Sequence, residues 1–410
     1  MIKKISRKKI VKKNKKLTVK NNKNKGNIKS FNFPYYHKFK TENEILKDFQ
    51  KLKIFSPKLI NKYRGKYRIN KFRGKIIIFL EDYDKNRDLY QITDYFSQEC
   101  RVKCSFESPK QTQKTGNILE QFKKIKTKMH NNLGNNFNFN EVDDYFYKNK
   151  IKECSNFHNT VVVSLLKFLK VRKYLDFSAG WGDRLVGSIA SSYCQEYLGV
   201  DPSKCLQDKY KKIINTLCPK NKKIIKNFRV INKGFEDVDL PKNYFDLAFS
   251  SPPFFKLEIY EKEKGQSVSK FNTVEVWKKG FLYPLIDKST QSLKNYGYFA
   301  IYISDYGDVK YTRDMFQYIK NNRNELKYLG DIHWMDKKNP NNIKKINIWQ
   351  KQISLDKKYI TYSKIIKESK DGKLPGKYRP WRFTSGNGTD NPKNYVFNTE
   401  TKKWVFLKNL

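Results

Sequence analysis

Histidine is almost missing from this chain. Four occur in 410 residues, at His37, His130, His158 and His333, and the six cysteines (Cys100, Cys104, Cys154, Cys194, Cys205 and Cys218) form no Cys-x-x-Cys pair. Neither set has the spacing of zinc ligands, which argues against a structural metal. Six dispersed thiols in a large chain read as reduced, and so as an intracellular protein. No apolar run reaches the length of a membrane span, and the N-terminus lacks the apolar core of a signal peptide. Acid is also in short supply, with 40 Asp and Glu against 86 Lys and Arg and a formal net charge of +46. Such a balance favours polyanions through long-range attraction and counterion release. Nucleic acid is the first candidate partner and an anionic membrane surface the second. Lys, Asn, Ile, Tyr and Phe are also what an A+T-rich genome encodes in abundance, which raises lysine without any selection for binding. Apolar residues are not lacking: at 38% hydrophobic and 15% aromatic, the chain can bury a sizeable core in two or three domains.

Charge and periodicity divide the chain into four parts. Residues 1–30 hold 13 Lys or Arg and no acid, which reads as a disordered basic arm adding affinity for phosphate, or as a nuclear address. Residues 31–150 form an accessory region, with a helix over Glu42–Lys53, a buried strand over Lys75–Leu80, and a stretch from Asp94 to Cys104 whose periodicity fits no element. Residues 151–355 alternate strand and helix. Strands are expected at Tyr174–Phe177, Glu196–Val200, Phe228–Ile231, Phe245–Ser250, Tyr298–Ile303, Lys327–Leu329 and Ile346–Trp349, with helices between all but the last two. That is a doubly wound α/β sheet of seven strands, with an antiparallel hairpin at one edge. Residues 356–410 make a basic, aromatic extension that ends in a short hairpin, Asn394–Phe397 against Lys403–Phe406.

Two motifs carry chemistry. Asp176-Phe177-Ser178-Ala179-Gly180-Trp181-Gly182-Asp183 follows the first strand of the alternating region. Its glycines let the backbone approach a ligand lying over a helix N-terminus. Asp201, just beyond the second strand, stands where an acid accepts hydrogen bonds from ribose hydroxyls, although an acid before Pro202 is also an ordinary helix cap. Leu185 stands where a dinucleotide fingerprint has its third glycine, and no Walker loop occurs. Glu236 and Asp237, after the third strand, are in place to meet an adenine amino group or simply to start a turn. The second motif is Ser251-Pro252-Pro253-Phe254, which ends the strand Phe245–Ser250 and puts a hydroxyl, two imide rings and an aromatic ring at its carboxyl end, where open α/β sheets bind ligands.

From about Cys154 to Gln352 the chain resembles class I S-adenosylmethionine-dependent methyltransferases, and within them the DNA enzymes that methylate adenine N6 or cytosine N4. The strings Leu175–Arg184 and Ser251–Tyr260 look like those of uncharacterised members from large DNA viruses and phages, which would place the protein in the cytoplasm, the nucleus or a viral replication compartment. The resemblance implies a Rossmann-like seven-stranded methyltransferase sheet with S-adenosyl-L-methionine as cofactor. It implies that Asp176, Ser178, Ala179, Gly180, Gly182, Asp201, Glu236 and Asp237 bind that cofactor and that Ser155–Thr160, with His158, lies at its methionine end. Ser178 departs from the family, which usually has Phe there; the aromatics here are Phe177 and Trp181. Ser251 Oγ and the Pro252 carbonyl would orient the target amino group, with Pro253 stiffening the turn and Phe254 stacking on the base. Ser-Pro-Pro is commoner among cytosine-N4 enzymes. Lys256–Phe271 is long enough for a mobile loop over the base pocket. RNA amino-methylation, protein glutamine methylation and a non-catalytic nucleic-acid-binding role on a degenerate fold are the competing readings. DNA is favoured over RNA as partner, and sequence says nothing of the oligomeric state.

Overall fold

The computed structural model describes residues 39–63, 65, 67–106, 121, 128, 131–132, 139–149, 154–218, 227–260, 265–305, 307–352, 359–369 and 395–406. The basic arm of residues 1–30 and the run Tyr378–Phe383 lie outside them.

The strands are β1 (Lys58–Ile60), β2 (Ile78–Glu81), β3 (Ser105–Phe106), β4 (Lys173–Asp176), β5 (Glu196–Val200), β6 (Phe228–Ile231), β7 (Phe245–Ser250), β8 (Glu258–Ile259), β9 (Leu293–Ile301), β10 (Leu326–Asp336), β11 (Asn339–Lys351), β12 (Tyr359–Thr361), β13 (Tyr395–Asn398) and β14 (Lys403–Phe406). Nine of them form one sheet in the order β1-β2-β10-β11-β9-β7-β4-β5-β6. β6, β5, β4, β7 and β9 run parallel, so the chain winds outward from β4 in one direction, returns, and continues from β7 in the other. Strand order reverses between β4 and β7, and the carboxyl ends of strands at such a reversal leave a crevice open.

The sheet has nine strands rather than the seven expected. β1 and β2 come from the accessory region: β2 pairs in parallel with β10 from His333↔Ile78 to Asp336↔Glu81, and β1 pairs antiparallel with β2. The β10–β11 hairpin forms as expected but lies inside the sheet, with β11 antiparallel to both β9 and β10. Its edge is covered by β2, so the unpaired backbone groups that a free edge would present are satisfied.

Side chains alternate between the two faces, as pleated strands require. Tyr174, Tyr197 and Phe249 point into one core, under the helices Glu42–Lys53, Asn159–Leu169, Asp183–Ala190 and Lys204–Leu217. Leu175, Leu198, Ala248 and Phe299 point into the other, under Tyr283–Ser292 and Tyr311–Asn322. The Glu42–Lys53 helix starts on a capping box: Glu44 N–H donates to Thr41 Oγ1 at 3.3 Å and Thr41 N–H to Glu44 Oε2 at 2.8 Å, satisfying two otherwise orphan donors. Asp246, the one acid in the apolar β7 run, accepts from Arg172 N–H (3.0 Å), Lys173 N–H (2.7 Å) and Lys294 Nζ (2.7 Å). It fastens the start of β4 to β7 below the crevice. The C-terminal hairpin forms from β13 and β14, with β12 as a third strand.

Asp94–Arg101 is a helix. Its period was hidden because polar residues face inward: buried Arg101 grips buried Asp94 with two 2.9 Å hydrogen bonds and donates to the Cys154 carbonyl at 3.0 Å.

The reading of six reduced thiols is overturned. Cys100 is bonded to Cys205 and Cys104 to Cys154, with Cα atoms 6.0 and 6.2 Å apart. Both bonds tie the Asp94–Cys104 segment to the main α/β body. The partners lie 105 and 50 residues apart in sequence, so no local spacing announces them. Only Cys194 and Cys218 are free, and both are buried. Thiol titration of the unreduced protein in denaturant is therefore expected to find two reactive groups, rising to six after reduction. Reduction should lower stability by roughly 2–4 kcal/mol per bond, read as a fall in Tm. Six groups without reductant would remove both bonds.

Candidate active site

Beyond β4 the chain turns through Gly180 and Gly182, whose φ values of 58° and 101° lie in the left-handed region that other residues resist. The turn is held from beneath by Asp176. This fully buried carboxylate receives Arg184 Nε at 3.0 and 3.1 Å, the Tyr197 hydroxyl at 2.7 Å and Ser178 N–H at 3.3 Å. Arg184 also donates to the Ser178 carbonyl, which accepts Ser250 Oγ at 3.0 Å as well. The glycine turn is thereby fastened to the last residue of β7.

Asp201 follows β5 and is nearly buried. Its Oδ2 accepts Gly180 N–H at 2.8 Å and its Oδ1 accepts Ser203 N–H at 3.0 Å. Burial raises its pKa to about 6, against the opposing effect of those two donors. Each oxygen keeps a further lone pair. After β6, a short turn over Phe235–Asp237 brings Glu236 to the crevice, where Lys270 Nζ holds it at 2.8 Å and reaches Asp237 at 2.6 Å.

β7 delivers Ser251-Pro252-Pro253-Phe254 to the same crevice. Ser251 Oγ makes no hydrogen bond within the described residues. Phe255 has φ of 52°, a strained value for an aromatic residue. That twist separates two adjacent rings. Phe255 packs on Trp277 in the core (5.8 Å between centroids), while Phe254 meets Tyr302 at the crevice (5.7 Å).

Together these residues line one cavity of about 380 Å³. Of the residues read from sequence, Ser178, Gly180, Asp201, Glu236, Ser251, Pro252, Pro253 and Phe254 are in its wall, and so are Phe177 and Trp181. Asp176, Ala179, Gly182 and Asp237 are not. Asp176 acts through the turn above it, Gly182 shapes that turn, and Asp237 points to Lys270. Residues 261–264 of the expected loop lie outside the described residues; Gly265–Ser267 contribute to the wall.

The segment Ser155–His158 crosses the cavity floor. Asp183 accepts Phe157 N–H at 3.2 Å and is pushed up to about pKa 7, first by burial. His158 sits at the far end, stacked on Tyr90 (4.4 Å) and edge-on to Tyr83 (4.7 Å). Burial, then nearby Lys344, drives its pKa down to about 3, so the ring is neutral. Asn156 Oδ1, Asp183 Oδ1 and His158 Nδ1 are buried without a hydrogen-bond partner among the described residues. Buried polar atoms are rarely left so, and these face a cavity. Asp201 for a ribose, Glu236 for an adenine amino group, and Asn156 with Asp183 for an ammonium together fit S-adenosylmethionine.

Sequence reading missed Tyr302, Trp334, Lys344, Glu258 and Tyr260, which line the same cavity. Tyr302 directly follows β9, and the rule about strand carboxyl ends would have found it. Trp334 and Lys344 face each other across the β10–β11 hairpin and become neighbours of the site only through sheet order.

No protein-family model and no curated protein matches this sequence. Among solved structures, PH0851 is 11% identical, with a TM-score of 0.32, over 48% of this chain and 45% of that one. A methyltransferase from Pyrococcus furiosus is 14% identical, with a TM-score of 0.34, over 48% of this chain and 84% of that one. The N-methyltransferase NodS from Bradyrhizobium japonicum WM9 is 11% identical, with a TM-score of 0.31, over 52% of this chain and 99% of that one. Likenesses this distant support no assignment.

Asp201 generates a prediction with a sign. The ionised carboxylate is the better acceptor, so S-adenosylmethionine affinity should rise as pH passes upward through about 6, where the carboxylate ionises. Asp201→Ala should weaken binding by roughly 1–3 kcal/mol, and Asp201→Asn should remove the component of the rise near pH 6, leaving the one near 7 that Asp183 sets. Calorimetric titration across this range checks both; unchanged affinity in the variants would remove Asp201 from the site.

Proposed function

We propose that this chain transfers a methyl group from S-adenosylmethionine to an exocyclic amino group of a nucleobase, in DNA at cytosine N4 or adenine N6. The observation that carries the reading is Ser251. Its hydroxyl has no hydrogen bond within the described residues, it lines the same cavity as Phe254 just beyond β7, and it directly follows Ser250, whose hydroxyl is tied to the Ser178 carbonyl of the glycine turn. An acceptor for an amino group is thus fixed relative to the loop that would hold the methyl donor.

An exocyclic amino nitrogen is a weak nucleophile because its lone pair is delocalised into the ring. Ser251 Oγ and the Pro252 carbonyl can accept its two N–H bonds, which favours a pyramidal nitrogen with the lone pair free to attack. Pro252 and Pro253 keep these acceptors from rotating, so the contribution is orientation and electrostatic complementarity. When bound, the cofactor would supply an activated sulfonium methyl, its C–S bond breaking to a thioether as the N–C bond forms, and the alkylated nitrogen would release one proton to solvent. His158, in the same wall, is pushed down to about pKa 3 by burial and then by Lys344, too weak a base to drive the step near neutral pH, and Ser251 and Pro252 contribute orientation. Phe254 offers its face to a base that has left the stack. The basic surplus of the chain supports a polyanionic substrate. Methylation of an RNA amino group would use the same geometry.

Ser251→Ala should cut turnover about 10²-fold or more while leaving cofactor affinity unchanged. Phe254→Ala should instead weaken productive substrate binding by roughly 1–3 kcal/mol, and Phe254→Tyr should retain activity. Nucleoside mass spectrometry after incubation with labelled cofactor and mixed DNA and RNA identifies the product. A fully active Ser251→Ala enzyme, or a methyl group found only on protein, would overturn the reading.

A further inference from the structure

The cavity crosses several strands of the sheet. It starts at Asp201 on β5, passes β4, β7 and β9, and ends at the β10–β11 hairpin. Lys344 on β11 is four strands from β5, about 19 Å at the spacing of neighbouring strands. That sets it apart from the ribose end of a cofactor seated on Asp201. The end wall is aromatic and continuous: Phe254 meets Tyr302 at 5.7 Å, Tyr302 meets Trp334 at 4.9 Å, and Lys344 Nζ lies 5.9 Å from the Trp334 ring centre.

Lys344 is partly buried in this wall, and its ammonium makes no ion pair or hydrogen bond within the described residues. Two lysines that are buried are engaged: Lys278 pairs with Glu275 and Asp314, and Lys351 donates to Asn243 and the Leu293 carbonyl. A desolvated ammonium without a counter-ion is costly. Burial alone lowers its pKa, with no acid opposing the shift. An anionic ligand would restore the balance.

We propose that Lys344 is the anion-recognition residue of the acceptor end, receiving a phosphate of the nucleotide whose base lies on Phe254. This rests on the reading of a nucleobase acceptor and narrows it: the group that is methylated enters as part of a nucleotide, not as a free base or nucleoside. The ring chain Phe254, Tyr302 and Trp334 leads from the Ser251 acceptor to the ammonium, so base and phosphate are received along one wall.

The test uses the full chain and three probes by calorimetry: inorganic phosphate, deoxycytidine and deoxycytidine 5′-monophosphate, with the adenine pair run alongside. The wild type should bind each nucleotide about tenfold or more tightly than its nucleoside, as a charge-assisted hydrogen bond gives, and inorganic phosphate should compete. In Lys344→Met the advantage should vanish while nucleoside and S-adenosylmethionine affinities hold; Lys344→Arg should restore it. A phosphate preference that survives Lys344→Met overturns the assignment. So does a loss of S-adenosylmethionine affinity in that variant, which would give the ammonium to the cofactor's carboxylate, and so does a wild type indifferent to phosphate. If inorganic phosphate binds the wild type and not Lys344→Met, but no nucleoside or nucleotide outcompetes it, the anion site stands and the nucleobase reading falls.

Discussion

The site depends on a buried ion pair beneath the glycine turn. Asp176 and Arg184 face each other beneath the glycine turn, both almost wholly removed from solvent. Removing one partner of such a pair leaves an uncompensated buried charge and typically costs about 3–5 kcal/mol, so neither residue can vary alone. Their geometry does more than neutralise charge. Arg184 reaches past Asp176 to the Ser178 carbonyl, and that carbonyl is shared with Ser250 at the end of β7. The loop that would carry the methyl donor and the strand that presents the acceptor therefore move as one body. Group transfer tolerates little play between donor and nucleophile, and on the proposed function one carbonyl oxygen would fix the two elements that carry them.

This arrangement explains which parts of the site were legible in the sequence. β5, β6 and β7 appear with the boundaries that their apolar runs imply, and β4 nearly so, because parallel strands inside the sheet, β4, β5 and β7, are buried on both faces and leave a strong signal. The glycines and the Ser-Pro-Pro-Phe turn are local features with local causes. Asp176 was also legible as important, but its role was not. A carboxylate beside a glycine loop reads as a ligand contact, and only the tertiary positions of Arg184 and Tyr197 turn it into a support. The Asp94–Arg101 helix was obscured by the same effect, since its inward face carries a salt bridge where a stripe of apolar residues would mark it.

What sequence could not show is set by long-range pairing. The two disulfides join positions 105 and 50 residues apart, and β2 finds β10 across more than half the chain. Extending the sheet by β2 and β1 changes what the β10–β11 hairpin can do. At a free edge, Trp334 and Lys344 would be surface residues. Enclosed between β9 and β2, with Tyr83 and Tyr90 brought in behind His158, the hairpin becomes the end wall of the cavity. The accessory region thus builds part of the candidate acceptor site rather than merely flanking it.

The distribution of charge along the cavity is the sharpest departure from composition. Over the whole chain, Lys and Arg outnumber Asp and Glu 86 to 40. In the cavity wall the ratio inverts, with Asp183, Asp201, Glu236 and Glu258 against Arg184 and Lys344. Arg184 is already committed to Asp176, which leaves Lys344 as the one cation of the wall without a carboxylate partner. A bias toward lysine codons spreads bases everywhere and cannot collect acids at one end of one crevice. The acidic end suits a ligand with a sulfonium and an ammonium, and the outer surface attracts a polyanion from a distance. Between them, a single lysine at the aromatic end lets one anionic group in. On the proposed function, Ser251 stands where a donor held by Asp183, Asp201 and Glu236 and an acceptor held by Lys344 would meet.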